Sequence, residues 1–442
     1  MSDSKRQALA AHAAPITQHG AAAPNVRAAG HRMKLLLYGI NFAPEMTGIG
    51  KYTGEMAQWL AAQGHEVRVI TAPPYYPAWA IWPGYSARRY RRELWHGVDV
   101  MRTPLWVPVR PSGLRRLLHL SSFALASLPT LLGQWRWRPD VVWVVAPALA
   151  CTPGALALSR LSGARAWLHV QDYEVDAAFE LGLLKGARLR SCISAVERWL
   201  MRRFDRVSTI SQRMIERART KGVDDDRLVH LPNWVDVTAV QPLSAPSSYR
   251  AQLGIAPDAV VALYSGNMGA KQGLEVLAEL ARLLSHRPDI QFVYCGQGSG
   301  REALVQACAG LPNVHWLDLQ PVERLPDLLG LADIHLLPQR ADAADLVMPS
   351  KLTGMLSSGR PVVAGTRADT ELGQVVAQCG RLAAPDDAKS FMQAVEELAG
   401  QPELRAALGQ RARAWAEQNL ARDSVLRQFE IALRDCIAST RH

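Results

Sequence analysis

The chain has 442 residues, which is too long for one ordinary core and predicts two domains. Hydrophobic residues make up 48% of the sequence, a share that excludes a disordered chain. Its 50 basic and 40 acidic residues leave a net charge of +10, which favours anionic partners such as phosphates or an anionic membrane surface. The sequence carries no nucleic-acid recognition motif, so we expect no nucleic-acid partner.

Residues 1–32 are rich in alanine, are interrupted by charged residues and glycine, and lack an apolar run that could serve as a signal peptide. We predict a disordered leader here. The six cysteines form no C-x-x-C pair, and most have apolar or small neighbours. This pattern predicts reduced, buried thiols in a cytoplasmic protein.

A strand, a glycine-bearing loop, a helix and a second strand open the first domain, which we place at residues 33–231. The apolar runs 34–40 and 65–71 predict buried parallel strands. Between them, Gly48 and Gly50 allow the backbone to approach a ligand closely. The spacing of the glycines does not fit a dinucleotide-binding fingerprint, which argues against a nicotinamide-dependent oxidoreductase.

Residues 75–138 combine aromatic side chains, prolines and a strong basic bias, and we predict that they form a membrane-facing insertion. Arginines cluster from residue 88 onward, opposed only by Glu93 and Asp99. The apolar stretch 117–133 is too short and too interrupted for a membrane span. Flanked by arginine and tryptophan, it is typical of an interfacial helix, and a core helix with a basic face is the alternative.

The strand predicted at residues 164–170 ends next to polar side chains. Ligands of parallel sheets bind beyond the carboxyl ends of the strands. His169 and Gln171 alternate onto one face of this strand, with Asp172 on the other face or in the turn. We therefore take His169 and Asp172 as candidate catalytic residues.

A link rich in proline and serine, residues 232–258, separates the first domain from the second, residues 259–402. Before it, Ser211 is predicted to cap a helix that ends near Gly222. The acidic run 224–226 resembles a metal-binding motif of another fold. Its place after a helix-ending glycine predicts a solvated turn instead, and we expect no metal site.

Two glycine-rich loops of the second domain each follow a predicted strand. The first contains Gly266 and Asn267 and places Lys271 at the start of a helix, which suits a phosphate. The second loop begins at Gly296. Residues 403–442 predict amphipathic helices.

Residues 348–364 predict a turn, a short helix, a glycine stop and a buried strand. Ser350 can cap the helix, and Gly359 supplies a left-handed stop at its C-terminus. The N–H groups and the positive dipole at a helix start attract anions, and Lys351 adds a full positive charge there. A diphosphate would suit such a site.

The pattern P-S-K-L at residues 349–352, followed after six residues by G-R-P-V-V-A, resembles the nucleotide-sugar-binding segment of the GT-B glycosyltransferases of family 4. The resemblance extends over nearly all of the chain from about Met33 and is strongest to bacterial exopolysaccharide transferases of the colanic-acid type. It implies an α/β GT-B fold. Two Rossmann-like domains would face each other across a cleft with their parallel sheets, and the C-terminal helix would pack back on the first domain.

The resemblance also implies an activity: a retaining, metal-independent transferase that uses no cofactor. It would move a sugar from a GDP- or UDP-sugar to a lipid-linked saccharide in exopolysaccharide biosynthesis, in the cytoplasm and peripherally at the inner face of the plasma membrane. The implied catalytic residues are His169, Asp172 and Lys271, and Gly48 and Gly50 would form the acceptor loop. The implied donor-binding residues are Gly266, Asn267, Lys271, Gly296, Ser350, Lys351 and Leu352.

The sequence departs from the family pattern in three places. Many members have a histidine directly before the aspartate of the first-domain site, where this chain has Gln171, so either His169 or Gln171 fills that role. Asn267 stands where many members have arginine. Leu346 and Gly354 stand where many members have glutamates.

Two other function classes stay open from the sequence. A sugar-nucleotide epimerase of GT-B architecture would release a nucleotide without an acceptor and would need a pair of carboxylates, which the sequence does not identify. A non-catalytic saccharide-binding partner would keep the binding residues and show no turnover on any donor.

Overall fold

The computed structural model describes residues 32–46, 48–109, 113–146, 149–173, 187–269, 272–340 and 348–439, so the predicted leader lies outside the described residues apart from Arg32. The chain divides into two compact units. Each is an α/β unit built on one sheet, as predicted. The first unit comprises Met1–Thr209, Ile215–His230 and Gln428–His442, and the second comprises Ile210–Met214 and Leu231–Arg427.

The first unit contains an eight-stranded sheet with the strand order β3-β4-β2-β1-β5-β6-β7-β8. All neighbouring strands are parallel except β3 and β4, which form an antiparallel hairpin. The elements in chain order are β1 (Lys34–Tyr38), α1 (Gly48–Ala62), β2 (Glu66–Thr71), β3 (Arg91–Trp95), β4 (Val98–Arg102), α2 (Gly113–Leu132), β5 (Val141–Ala146), α3 (Thr152–Ser162), β6 (Arg165–Val170), α4 (Ala187–Met201), β7 (Arg206–Thr209), α5 (Gln212–Thr220) and β8 (Leu228–His230).

The predicted apolar helix of residues 117–133 is part of α2. Every fourth side chain of α2 is buried, from His119 through Phe123 and Ser127 to Leu131, so this stripe packs on the unit. The opposite face exposes Leu118 and Leu125. Helix α2 is thus amphipathic. Among the described residues, no helix is both long enough and apolar enough to cross a membrane.

The second unit contains a six-stranded, fully parallel sheet with the order β11-β10-β9-β12-β13-β14. Its four central strands, β9, β10, β12 and β13, are almost entirely buried, as expected for a parallel sheet covered by helices. The elements are α6 (Ser248–Leu253), β9 (Val260–Ser265), α7 (Glu275–Leu283), β10 (Ile290–Cys295), α8 (Arg301–Ala307), β11 (Val314–Leu317), α9 (Leu325–Gly330), β12 (Ile334–Leu337), α10 (Lys351–Ser357), β13 (Val362–Gly365), α11 (Glu371–Cys379), β14 (Gly380–Ala383), α12 (Ala388–Gly400), α13 (Pro402–Asn419) and α14 (Arg422–Ala438).

The C-terminal part of α14 belongs to the first unit, which confirms the predicted packing of the last helix. Phe429 of α14 lies edge-on against Trp167 of β6, with ring centroids 5.3 Å apart. Glu430 contacts His65 Nε2 at 3.1 Å, close to the start of β2. Helix α14 therefore covers the face of the sheet that presents Trp143 and Trp167.

Several local predictions are confirmed. The Met214 N–H donates to Ser211 Oγ at 3.2 Å, so Ser211 caps α5. Gly222 and Gly359 have φ values of +85° and +68° and follow the ends of α5 and α10. The acidic run 224–226 lies at a short 3₁₀ helix.

Candidate active site

Two glycine-rich loops meet at the carboxyl edge of the second sheet. The Gly266 loop (residues 266–269) follows β9, and the Gly296 loop (residues 296–300) follows its neighbour β10. Met268 N–H donates to Gln297 O at 2.9 Å, and Gly300 N–H donates to Met268 O at 2.8 Å. The loops are therefore joined through their backbones.

The close approach of the two loops requires glycine at position 296. Gly296 has a φ of +144°, and a Cβ atom there would lie 1.9 Å from the Gly266 carbonyl oxygen. An L side chain would face both a disfavoured backbone conformation and a backbone clash. The predicted site residues Gly266 and Gly296 thus form one wall.

Lys351 is the first residue of α10, and its side chain lies over Gly266. A Cβ atom on Gly266 would lie 3.0 Å from Lys351 Cδ. The ammonium donates to Tyr264 Oη and to Gln272 Oε1, both at 2.8 Å. It also lies 4.3 Å from the centroid of the Tyr264 ring. The end of β9 and the residues that follow it therefore hold an ammonium from a distant part of the chain.

No carboxylate of the described residues forms an ion pair with Lys351, since its polar partners are the neutral groups of Tyr264 and Gln272. Burial lowers the pKa of the Lys351 ammonium to about 7. An ammonium in this state gains from any anion that reaches it, because the anion compensates the lost hydration. This environment suits a phosphate group, as the sequence predicted.

Asn267 is tied to the same group of residues. The Tyr264 hydroxyl donates to the Asn267 carbonyl oxygen at 2.7 Å while it accepts a hydrogen bond from Lys351. Asn267 is exposed, and its side chain lies beside Gly298, where a Cβ atom would be 2.8 Å from its Oδ1. The predicted residues Gly266, Asn267 and Lys351 are thus brought together by Tyr264, which carried no signal in the sequence.

The prediction that Ser350 caps α10 is wrong. Ser350 has helical backbone angles, and its exposed side chain makes no capping hydrogen bond. A capping residue needs an extended backbone to turn its side chain toward the N–H groups of the first turn. The Ser350 carbonyl oxygen instead accepts a hydrogen bond from the Thr353 hydroxyl at 2.9 Å.

Leu352, predicted to bind the donor, is not part of this wall. Its side chain is 1% exposed and packs in the core with Met355 and Leu356. Its N–H donates to the Pro349 carbonyl oxygen at 3.0 Å. Lys271, the other cation predicted for the donor site, lies outside the described residues.

In the first unit, His169 is buried inside the structure. It is 2% exposed, and its ring stacks on Trp143 with centroids 5.1 Å apart. Its Nδ1 lies 2.8 Å from Ser208 Oγ, and its Nε2 accepts a hydrogen bond from Gln171 Nε2 at 3.0 Å. Burial lowers the pKa of His169 to about 3, so the ring is neutral.

The placement of His169 bears on whether His169 or Gln171 fills the role of the family histidine. Both ring nitrogens of His169 are engaged within the protein, whereas Gln171 and Asp172 follow the end of β6 and are only partly buried. Gly48 and Gly50, predicted to form the acceptor loop, lie in the first turn of α1, the helix after β1; β1 is two strands away from β6 in the same sheet, or about 10 Å. These residues share one edge of the first sheet.

Comparison with known proteins gives the family. Residues 47–234 match the Glycosyl transferase 4-like domain, and residues 259–401 match the Glycosyl transferases group 1. The chain is 45% identical over 407 residues to the colanic acid biosynthesis glycosyl transferase WcaI of Escherichia coli K12, an alignment that covers 90% of this chain and 98% of WcaI. This chain is a glycosyltransferase.

Solved structures show that the glycosyltransferase has the GT-B fold. Sucrose-phosphate synthase from Thermosynechococcus elongatus matches with a TM-score of 0.72 and 17% identity, covering 92% of this chain and all of that chain. WaaG, a glycosyltransferase involved in lipopolysaccharide biosynthesis, matches with a TM-score of 0.64 and 18% identity, covering 91% of this chain and all of that chain. The predicted fold class is confirmed.

Proposed function

We propose that this glycosyltransferase is a retaining, metal-independent enzyme that transfers a sugar from a nucleoside-diphosphate sugar to a lipid-linked saccharide. The identity of 45% to a relative named for colanic acid biosynthesis supports a role in the synthesis of an exopolysaccharide of that type. The inference that the ligand is a diphosphate rests on one observation. The buried Lys351 ammonium has only neutral partners among the described residues, and it lies against Gly266, where the two glycine loops meet.

In the proposed reaction, the bond between sugar C1 and the diphosphate oxygen breaks while C1 forms a bond to the acceptor oxygen on the same face of the ring. The acceptor proton passes to the departing diphosphate oxygen, so no enzyme nucleophile is required. Lys351 stabilises the negative charge that grows on the leaving group. The resemblance gives Lys271 the same role.

On the first unit, we propose that Gln171 meets the donor or acceptor and that His169 positions Gln171. The hydrogen bond from Gln171 Nε2 to His169 Nε2 supports this division, because it fixes the amide at the end of β6. Asp172 follows directly and is our second candidate for contact with the substrate. The neutral state of His169 argues against a role as a general acid at neutral pH.

The acceptor would lie on a membrane, and we propose peripheral contact of the first unit with an anionic, inner-face surface in the cytoplasm. All but three of the exposed large apolar side chains among the described residues belong to the first unit. On α2, Leu125 is 72% exposed and Leu118 is 53% exposed. Arg115 and Arg116 flank them and suit lipid phosphates.

The experiment that tests the donor site is thermal unfolding of the purified protein with GDP, UDP, ADP, CMP or NAD. A ligand at about 100 times its dissociation constant adds about 2.7 kcal/mol to the stability. We expect a shift with one nucleoside diphosphate, and we expect Lys351→Met to lose it. Lys389→Met, which removes an exposed lysine of α12, is the matched control and should keep the shift.

The outcomes separate the function classes. A shift with NAD alone would overturn the transferase proposal. A shift that survives in Lys351→Met would refute the site. Release of the nucleotide from a nucleotide sugar without any acceptor would favour the epimerase, and nucleotide binding without turnover on any donor and acceptor would favour the non-catalytic binding protein.

A further inference from the structure

A buried carboxylate lies at the edge of the first sheet where the loops after β1 and β2 leave it. Glu45 is 2% exposed. Its Oε1 accepts hydrogen bonds from the N–H groups of Tyr75 and Tyr76, both at 2.9 Å. Its Oε2 accepts one from Asn41 Nδ2 at 2.9 Å. The carboxylate is thus satisfied by three donors from two different loops.

The same carboxylate packs against the glycine loop. A Cβ atom on Gly50 would lie 2.7 Å from Glu45 Cβ and 2.8 Å from Glu45 Oε2, so only glycine fits at the start of α1. Gly48, with a φ of +60°, faces the Tyr76 ring, which a Cβ atom would approach to 3.9 Å. The Gly48–Gly50 turn therefore packs against Glu45 and against the segment that Glu45 binds.

The segment bound by Glu45 also contacts α2. The Tyr75 ring lies 4.8 Å from the His119 ring, and the Trp79 ring lies 5.2 Å from it. His119 Nδ1 donates to the Trp106 carbonyl oxygen at 2.7 Å, which fixes the orientation of the imidazole. An unbroken series of contacts therefore runs from Gly50 through Glu45 and Tyr75 to α2.

Arg102 also connects these two loops, through hydrogen bonds that do not involve Glu45. Arg102 is 2% exposed and donates to the carbonyl oxygens of Ala43 at 2.6 Å and Ala72 at 2.9 Å. Its Nε contacts Glu93 Oε1 at 2.5 Å. Arg102 thus joins Ala43 to Ala72, the residue that directly follows β2, whereas Glu45 reaches farther along the loop after β2, to Tyr75 and Tyr76.

We propose that Glu45 is a positioning residue that holds the acceptor loop at Gly48–Gly50 against the aromatic segment 75–79 and, through that segment, couples the acceptor loop to α2. This inference rests on the proposed function, which assigns the acceptor to this loop. Glu45 does not touch the substrate. Glu45 holds the acceptor loop in one conformation. Through segment 75–79 it also links the acceptor loop to α2, the proposed membrane-facing helix.

The test compares Glu45→Ala with Glu45→Gln. The amide oxygen of glutamine can still accept from both tyrosine N–H groups, whereas alanine leaves them without an acceptor. Hydrogen exchange followed by mass spectrometry reports on peptides spanning 46–54 and 73–80. We expect exchange in both peptides to accelerate about tenfold or more in Glu45→Ala and to stay near wild type in Glu45→Gln.

Steady-state kinetics supply the second readout, with a synthetic polyprenyl diphosphate-linked saccharide as the acceptor probe. In Glu45→Ala we expect the KM for this acceptor to rise about tenfold or more, because a displaced loop costs orientation. The KM for the donor should stay within about twofold, because its diphosphate site belongs to the second unit. Glu45→Gln should restore the acceptor KM.

Glu430→Ala is the matched control. Glu430 is a partly buried carboxylate of the same unit that contacts His65, next to the opposite ends of β1 and β2. It should lower the stability of the unit without changing exchange in the two loop peptides or the acceptor KM. An equal rise of the acceptor KM in Glu430→Ala and Glu45→Ala would overturn the proposal, since it would show a general loss of stability.

Three further outcomes bear on the proposed role of Glu45. Unchanged exchange in peptides 46–54 and 73–80 of Glu45→Ala would overturn the proposal whatever the kinetics show. If the wild-type protein transfers no sugar, the proposed function fails separately. The exchange comparison then still decides whether Glu45 holds the two loops together. If Glu45→Ala does not fold, the comparison is made with Glu45→Asp, whose shorter side chain cannot reach all three donors, and unchanged exchange in that variant overturns the proposal.

Discussion

Replacing Lys351 with methionine should stabilise the second unit while it removes the anion site. Burial lowers the pKa of Lys351 from 10.5 to about 7, so at pH 7, where about half of the native molecules have lost this proton, burying the lysine costs the native state about 4 kcal/mol. The substitution also removes the hydrogen bonds to Tyr264 and Gln272, worth about 1 kcal/mol each. We therefore expect a net stabilisation of about 2 kcal/mol at pH 7.

The pH dependence has a definite sign. Between pH 7 and pH 10.5 the unfolded chain keeps the lysine proton and the native state loses it, so the wild-type protein becomes more stable as pH rises. The cost of the native lysine falls to about 2 kcal/mol at pH 9, close to the value of the two lost hydrogen bonds. The advantage of Lys351→Met should therefore shrink to near zero at pH 9.

Urea unfolding of the apoprotein at pH 7 and pH 9 measures this advantage, with Lys389→Met as the control. The control removes the same charge from an exposed position and should stay within about 0.5 kcal/mol of wild type at both pH values. Two results would refute the view that the ammonium is uncompensated. One is a Lys351→Met variant that is less stable than wild type at pH 7. The other is a stability difference between variant and wild type that is the same at pH 7 and pH 9.

Three further predictions concern the loops, the first-unit site and α2. Gly296→Ala should destabilise the second unit by about 3 kcal/mol or more because its Cβ meets the backbone, whereas Gly310→Ala, which has a positive φ but open space, should cost only about 1 kcal/mol in urea unfolding. Alanine substitutions of His169 and Gln171 should lower kcat in a non-additive way, because the two act through one hydrogen bond; additive losses in a double-mutant cycle would contradict this. Leu125→Asp should weaken flotation with anionic vesicles, because it removes an exposed apolar side chain and adds a negative charge; unchanged flotation would contradict the proposed membrane contact.

The parts of the fold that depend on local chemistry were predictable from the sequence. The apolar runs of β1 and β9, the left-handed stop at Gly359 and the cap at Ser211 all follow from a few adjacent residues. The GT-B fold followed from a motif resemblance and is confirmed by the comparisons. The cap predicted at Ser350 failed because the chain is already helical there, which no residue type at that position specifies.

The environment of the site residues was not predictable, because it is made by segments far apart in sequence. Lys351 is separated from Tyr264 by 87 residues and from Gln272 by 79. Alternation along β6 correctly grouped His169 with Gln171, but it could not show that His169 is buried. Phe429 lies against Trp143, which stacks on His169, and so covers that side of the sheet from the other end of the chain. Glu45 showed no sequence signal beyond lying near a glycine loop.

Glu45 and Lys351 both bear the free-energy cost of burying a charged group, and this cost leads to two different roles. The Glu45 carboxylate accepts from three N–H donors, which offset part of the cost of its burial and make it a fixed connection between loops; burial still raises its pKa to about 6. The Lys351 ammonium has three protons and donates two hydrogen bonds, both to neutral oxygens, within the described residues. Among the described residues, no charged partner compensates this ammonium, whose pKa burial lowers to about 7. On the proposed function, a diphosphate would relieve this cost, which would favour binding of the anion over binding of a neutral sugar.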